Sequence, residues 1–355
     1  MRLGVRRRAS WTAAACLVAS LGACTEEVTP SMTDRVDGAP LAVAPYGPQV
    51  VVADLLPHDE ELRGISGLVT SRTHADTLWA ISDTATQLFA IQLRDDGVEV
   101  RSTRVRGVDR YDWEDLAWFE EDGDTFLMIA DVGTNRPASA ERTRGGEQVG
   151  KLHVVAEPRP GEKKVKVQRT ITFTLPCEPI RDLEAVAVDT ARREILLVEK
   201  RASVKRLLVL DLDQDHHEPT SEDWAEVSLP ELHHHEQQPA TAPSALLYQT
   251  SWRRNPTALD CLGRRAVLLT NRHAYVYERD VGASWTQALA TAPRQLQIPF
   301  KLELPGRAPQ TLPPGASPVL PQREAACFSR DGASVFVASE QRGAADAWLV
   351  RFDRR

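Results

Sequence analysis

A short β-rich unit recurs five times between residues 65 and 350, and no other feature constrains the fold of this chain as strongly. Each copy opens with a run that mixes a polar or acidic residue with small and apolar ones. A turn follows, and then a very apolar run that ends on a charged or amide residue. The copies open at Ile65–Val69, Trp113–Trp118, Leu183–Val188, Thr257–Cys261 and Glu324–Phe328. Their second runs are Thr77–Asp83, Thr125–Asp131, Glu194–Glu199, Ala266–Asn271 and Ser334–Glu340. Third runs follow in four of them, at Leu88–Ile91, Leu207–Leu210, Ala274–Tyr277 and Ala347–Val350.

Asp122-Gly123, Leu262-Gly263 and Asp331-Gly332 fall between first and second runs, where tight hairpins need such residues. Repeats of three or four short antiparallel strands, about 45 to 75 residues apart, predict an all-β propeller. The innermost strands are apolar on both faces, as sheets packed on either side require. No unit holds a helix-length period, which excludes helical solenoids. Five blades are expected; a degenerate sixth has room in 132–180 or 213–255. The last copy lacks an outer strand, and Gln49–Leu55 is a strand without a blade. Adding one to the other would close the ring and remove a free edge.

The N-terminus carries a different signal. Residues 1–23 hold Arg2, Arg6, Arg7 and Arg8, no acid, and an apolar stretch from Trp11 to Leu21. That is a secretory signal too short to span a bilayer. It ends Leu21-Gly22-Ala23-Cys24, the pattern of a bacterial lipobox, which makes Cys24 the expected lipidated mature N-terminus. Thr25, rather than Asp, favours the outer membrane in a cell that has one. Residues 24–47 are polar and Pro-containing and read as a flexible tether, leaving 48–355 as one propeller domain. Removal of the signal takes four of the 43 basic residues and none of the 50 acidic ones, so the mature net charge is −11 rather than −7. Nothing in that balance suits nucleic acid, and the membrane is expected as a partner only through the lipid.

Of five cysteines, Cys16 leaves with the signal and Cys24 takes lipid. Cys177, Cys261 and Cys327 remain, with no CxxC to suggest a structural zinc. Cys261 and Cys327 lie in apolar runs and read as inert buried thiols; one disulfide among the three stays open. His216, His217, His233, His234 and His235 lie among Glu, Gln, Pro and Asp and read as a solvated loop. Residues 136–150 read as a rim loop able to cover the channel mouth.

Antiparallel pairing locates the chemistry. The start of each first strand and the end of each second lie at one rim of the channel. That rim collects Ser66 with Asp83, Glu114 with Asp131, Glu184 with Glu199, Thr257 with Asn271, and Glu324 with Glu340. Seven of the ten are carboxylates, and like charges so close must be neutralised. Three means are open: a hard cation such as Ca2+ held by Asp83, Glu114, Asp131, Glu184 and Glu324; pairing with Arg63, Arg181, Lys200, Arg201, Arg272 and Arg323; or raised carboxyl pKa values.

Several stretches resemble a bacterial secreted propeller family known as phytase-like, or "esterase-like activity of phytase". They are Asp112–Ala117, Asp131-Val132-Gly133-Thr134-Asn135, Asp182–Val188 and Arg323–Glu340. The resemblance covers most of residues 60–352. The chain departs from it at Ser82-Asp83-Thr84-Ala85, where relatives often carry N-D-S-G, and at Thr257, which replaces a carboxylate. The resemblance implies the fold more than an activity. The functional expectation is an envelope-anchored lipoprotein propeller that binds a ligand, partner or cation at its acidic mouth. Two alternatives are a Ca2+-dependent hydrolase of an ester, lactone or phosphoester, and a structural envelope scaffold. No G-x-S-x-G nucleophile elbow is present.

Overall fold

The computed structural model describes residues 35–36, 39–108, 112–134, 143–144, 147–176, 181–230, 254–299, 302, 320, 322–341 and 346–355. Cys24, Cys177, Asn135, His233, His234 and His235 lie outside them.

Five antiparallel sheets form the blades. Blade 1 is Ile65–Thr70, Thr77–Ser82, Gln87–Arg94 and Gly97–Arg106. Blade 2 is Trp113–Glu121, Asp124–Asp131, Glu147–Ala156 and Arg169–Pro176. Blade 3 is Leu183–Asp189, Glu194–Glu199, Arg206–Asp211 and Trp224–Glu226. Blade 4 is Pro256–Leu262, Arg265–Thr270, Ala274–Glu278 and Arg294–Leu296, with a helical turn Trp285–Leu289 before its last strand. Blade 5 is Gln322–Phe328, Ser334–Glu340 and Trp348–Arg354, completed by Tyr46–Asp54 from the other end of the chain.

The ring closes as the sequence predicts. Trp348 pairs with Asp54, Val350 with Val51, and Arg354 with Tyr46. The first strands touch one another in the order blade 1, 2, 3, 4, 5 and back to 1. Five apolar clusters fill the five gaps between neighbouring blades. This explains the unbroken apolar runs: each first and second strand is buried by a blade on both sides. Trp79, Trp113 and Trp285 are buried almost completely. Each large apolar side chain so placed contributes about 1.5–3 kcal/mol.

The described residues of the stretch 132–180 form no sixth blade; they supply the outer strands of blade 2 and an edge strand for blade 1. Lys164–Lys166 adds in parallel to Gly97–Arg106, and His216–His217 adds in parallel to Arg169–Pro176. Two blades thus have an outer edge covered by a segment from the next one. Two expectations change accordingly. His216 and His217 form this edge strand rather than a solvated loop, with His216 Nδ1 2.6 Å from Thr172 Oγ1. Of the stretch 136–150, Glu147–Gly150 already belongs to a blade strand, onto which Thr143–Arg144 pairs.

The tether also ends earlier than residue 47. Leu41 and Ala44 are buried, and Gln295 N donates to Ala42 O at 2.9 Å while Ala44 N donates to Gln295 O at 2.8 Å. Residues 41–44 are therefore docked along the outer strand of blade 4. Cys261 and Cys327 are buried free thiols. No helix among the described residues is long and apolar enough to cross a membrane.

Candidate functional site

Every first strand pairs with its second through a register shift near its start. The shifts fall between Ile65 and Gly67, Trp113 and Asp115, Leu183 and Ala185, Pro256 and Ala258, and Arg323 and Ala325. The residues left over are Ser66, Glu114, Glu184, Thr257 and Glu324. A bulge inserts one unpaired residue and re-aims its side chain. Here all five bulges present, at one rim, the residues that the repeat had aligned.

Short and long side chains use that position differently. Ser66 Oγ donates to Trp113 O at 3.0 Å, and Thr257 Oγ1 donates to Arg323 O at 2.8 Å, each stitching its strand to the next blade. The three glutamates are too long for this and gather instead around Lys200. Lys200 Nζ donates to Glu184 Oε2, while Glu114 and Glu324 act on the same ammonium through their charge. Glu324 Oε1 is held from the other side by Asn271 Nδ2 at 3.0 Å and by Gln322 Nε2. Asp112 and Asp182, two residues ahead of their glutamates, add negative charge to the group. Arg201 Nε lies 2.7 Å from Asp182 Oδ2, and Thr134 Oγ1 donates to Asp182 Oδ1 at 2.5 Å. Gly133 packs its backbone against the Glu114 carboxylate so closely that a Cβ would overlap it, which gives the D-V-G-T-N turn a reason for its glycine.

Burial, followed by the charges of Glu184 and Asp112, holds the Glu114 carboxyl well above the usual range. Glu184 is raised as well, first by burial; Lys200 opposes the shift while Asp182 and Glu324 add to it. Burial draws the Lys200 ammonium toward neutrality, but the three glutamates outweigh it and hold the charge. Glu114 Oε1 and Glu184 Oε1 are buried without a hydrogen-bond partner among the described residues.

The other expected site residues lie elsewhere on the rim. Asp131 Oδ1 accepts from Asp112 N at 2.7 Å, and its Oδ2 lies 3.5 Å from His153 Nε2. Glu199 receives both of its contacts from Arg181 Nη1, at 3.0 and 3.1 Å. Asp83 is half-buried, its N–H donating to Gly64 O, and Glu340 is half-buried at the end of its strand. Of the five residues expected to hold Ca2+, Glu114, Glu184 and Glu324 thus gather around Lys200, while Asp83 and Asp131 lie elsewhere on the rim. Among the described residues no group of three or more His, Cys, Asp or Glu side chains is placed to hold a metal ion.

Of the six cations expected to neutralise the rim, Arg181, Lys200 and Arg201 pair with acids as anticipated. Arg63 instead binds Glu60. Arg323 instead binds main-chain carbonyls of the segment that follows blade 4. Its Nη2 donates to Pro299 O at 3.0 Å and to Ile298 O at 3.2 Å.

Two buried carboxylates deeper in the ring did not stand out in the sequence. Asp115 Oδ2 accepts from Val186 N at 2.8 Å and Leu259 N at 3.1 Å, linking blade 2 to blades 3 and 4. Asp260 Oδ2 accepts from Phe328 N at 2.8 Å, linking blade 4 to blade 5. Burial pushes Asp260 up to about 6, opposed by Arg72. Their only signal was an aspartate in an otherwise apolar first strand.

No protein-family model matches the chain, so the phytase-like resemblance stands on its motifs alone, and no curated protein matches it. Among solved structures it is similar to a luciferin-regenerating enzyme, at 9% identity over 82% of this chain and 91% of that one, with a TM-score of 0.42. It is similar to the PQQ-bound aldose sugar dehydrogenase of Streptomyces coelicolor, at 11% identity over 88% and 99%, TM-score 0.41. A gluconolactonase from Xanthomonas campestris follows, at 8% identity over 89% and 98%, TM-score 0.38. Likeness at this level carries no activity across. The five-bladed propeller is established by the strand pairing itself.

Proposed function

We propose that the acidic mouth binds a ligand through a cationic, hydrogen-bond-donating group such as an amine. The observation behind this is the pair of buried oxygens, Glu114 Oε1 and Glu184 Oε1, that have no partner while acids outnumber the cations around them. Buried acceptors of that kind are costly unless something donates to them. A bound amine would satisfy both and complete the neutralisation that Lys200 begins. Titration calorimetry with spermidine should give saturable heat, and Glu184→Gln should weaken the binding at least tenfold. Heat from neither spermidine nor Ca2+ would overturn the reading; heat from Ca2+ alone would return the site to a metal.

One observation favours hydrolysis as a second reading. Burial and the neighbouring carboxylates raise the Glu114 carboxyl pKa, the direction that a general acid for cleavage of an ester, lactone or phosphoester needs. Turnover of such substrates, lost in Glu114→Gln, would establish it.

The signal and Cys24 support an envelope lipoprotein held by its acyl chains. Replacing Cys24 with alanine should move the protein from the membrane fraction to the soluble one; retention on the membrane would rule out the lipid as its anchor.

A further inference from the structure

We propose that a pocket on the rim opposite the acidic mouth binds a phosphate group. It is a cavity of about 140 Å³ between blade 4 and the closing strand, and its charged lining is Arg265, Arg294, Arg354 and Glu278, beside Tyr46. Register fixes its place. Arg265 opens the second strand of blade 4 and pairs with Leu262 and Glu278, at the end away from Thr270. Tyr46 pairs with Arg354, at the end away from Asp54 and Trp348.

Three features mark it as a built site. First, none of the three arginines forms an ion pair among the described residues, although acids exceed bases in the chain by seven. One acid in the lining, Glu278, leaves two positive charges in excess. Second, Arg265 is held in place. Its Nη1 donates to the Tyr46 hydroxyl at 3.3 Å and its Nη2 to Gly332 O at 2.9 Å, with the guanidinium 5.1 Å above the Phe328 ring. Third, the neighbouring turn is shaped for it. Gly332 has φ of +69°, and a Cβ there would collide with the Arg265 guanidinium.

A preorganised arginine flanked by two exposed ones, with a phenol hydroxyl nearby, is the donor set that a tetrahedral oxyanion takes. Arg294 and Arg354 are exposed, and among the described residues neither has an ion-pair partner that the anion would have to displace.

The phosphate has two available sources, free phosphate and a phospholipid headgroup. The second gains weight from Pro45 and Tyr46, which line the pocket and follow Cys24 by 21 and 22 residues in the chain. That inference rests on the lipoprotein reading; the pocket does not. Inorganic phosphate should therefore be titrated calorimetrically in low-salt chloride buffer, and sedimentation with phosphatidylglycerol and with phosphatidylcholine vesicles compared, all on the Cys24→Ala protein. One saturable phosphate site is expected. Arg294→Gln/Arg354→Gln, both on exposed side chains, should weaken it at least tenfold without altering the melting temperature. Vesicle binding specific to phosphatidylglycerol and lost in the same variant, with or without heat from phosphate, would name the headgroup as the source. If neither ligand distinguishes the variant from the parent protein, the proposal is wrong.

Discussion

A chain lacking residues 46–54 should fail to show a single cooperative thermal transition. Those nine residues form the fourth strand of blade 5, and their hydrogen bonds to Trp348–Arg354 join the start of the ring to its end. Their loss removes the ladder along Trp348–Arg354, at about 0.5–1.5 kcal/mol for each hydrogen bond. It also removes Tyr46 and Val51 from the cluster between blades 4 and 5, and Val52 and Ala53 from that between blades 5 and 1. Against a total stability of about 5–15 kcal/mol, the sum is comparable to the whole. The uncovered Trp348–Arg354 edge would also template association between chains. Calorimetry and light scattering should show a broad or absent transition and concentration-dependent aggregation. A truncated monomer that melts sharply within a few degrees of the intact protein would show that closure contributes little.

Replacing Lys200 with methionine should be the most damaging single change at the mouth, and its effect should depend on pH in a defined sense. The substitution keeps the volume of the stem but removes the ammonium that the three glutamates share. Removing one partner of a buried pair costs about 3–5 kcal/mol, because the charge left behind has no compensation. Glu114 and Glu184 have carboxyl pKa values raised in the folded protein. The folded state therefore holds protons that the unfolded chain releases from about pH 4.3 upward. Its stability falls as pH rises through that window. Without Lys200 both carboxyls rise further, so the deficit should grow from pH 5 to pH 8 and shrink toward pH 4. Glu184→Gln in the Lys200→Met background should recover part of the loss at pH 8. Equal deficits at both ends of the range would mean that the shared ammonium is not what holds the glutamates together.

The ring was legible because its geometry leaves a strong mark on the inner strands. Runs such as Leu183–Val188 and Glu194–Glu199 must be apolar on both faces, so they stand out, and their spacing gives the blade count. Outer strands such as Arg169–Pro176 face solvent on one side, which is why 132–180 left room for an imagined sixth blade. At the site, the repeat identified Glu114, Glu184 and Glu324 but not the bulges that turn them inward, since a bulge is a matter of register rather than of residue type. Lys200 was one cation among six, and only packing singles it out. Arg323 misleads because its guanidinium is taken up by main-chain carbonyls at Ile298 and Pro299, partners that a sequence does not reveal. Asp115 and Asp260 resemble ordinary strand aspartates until backbone N–H groups from other blades are found around them.

The pairing of Tyr46–Asp54 with Trp348–Arg354 also imposes an order of events on the newborn chain. A strand made early must wait, unpartnered, while nearly three hundred residues follow it. Contacts so distant in sequence form late and slowly, and chains fold from the N-terminus as they are made. Blades 1 to 4 can assemble as their strands appear, but the latch shuts only when the last strand of blade 5 has emerged.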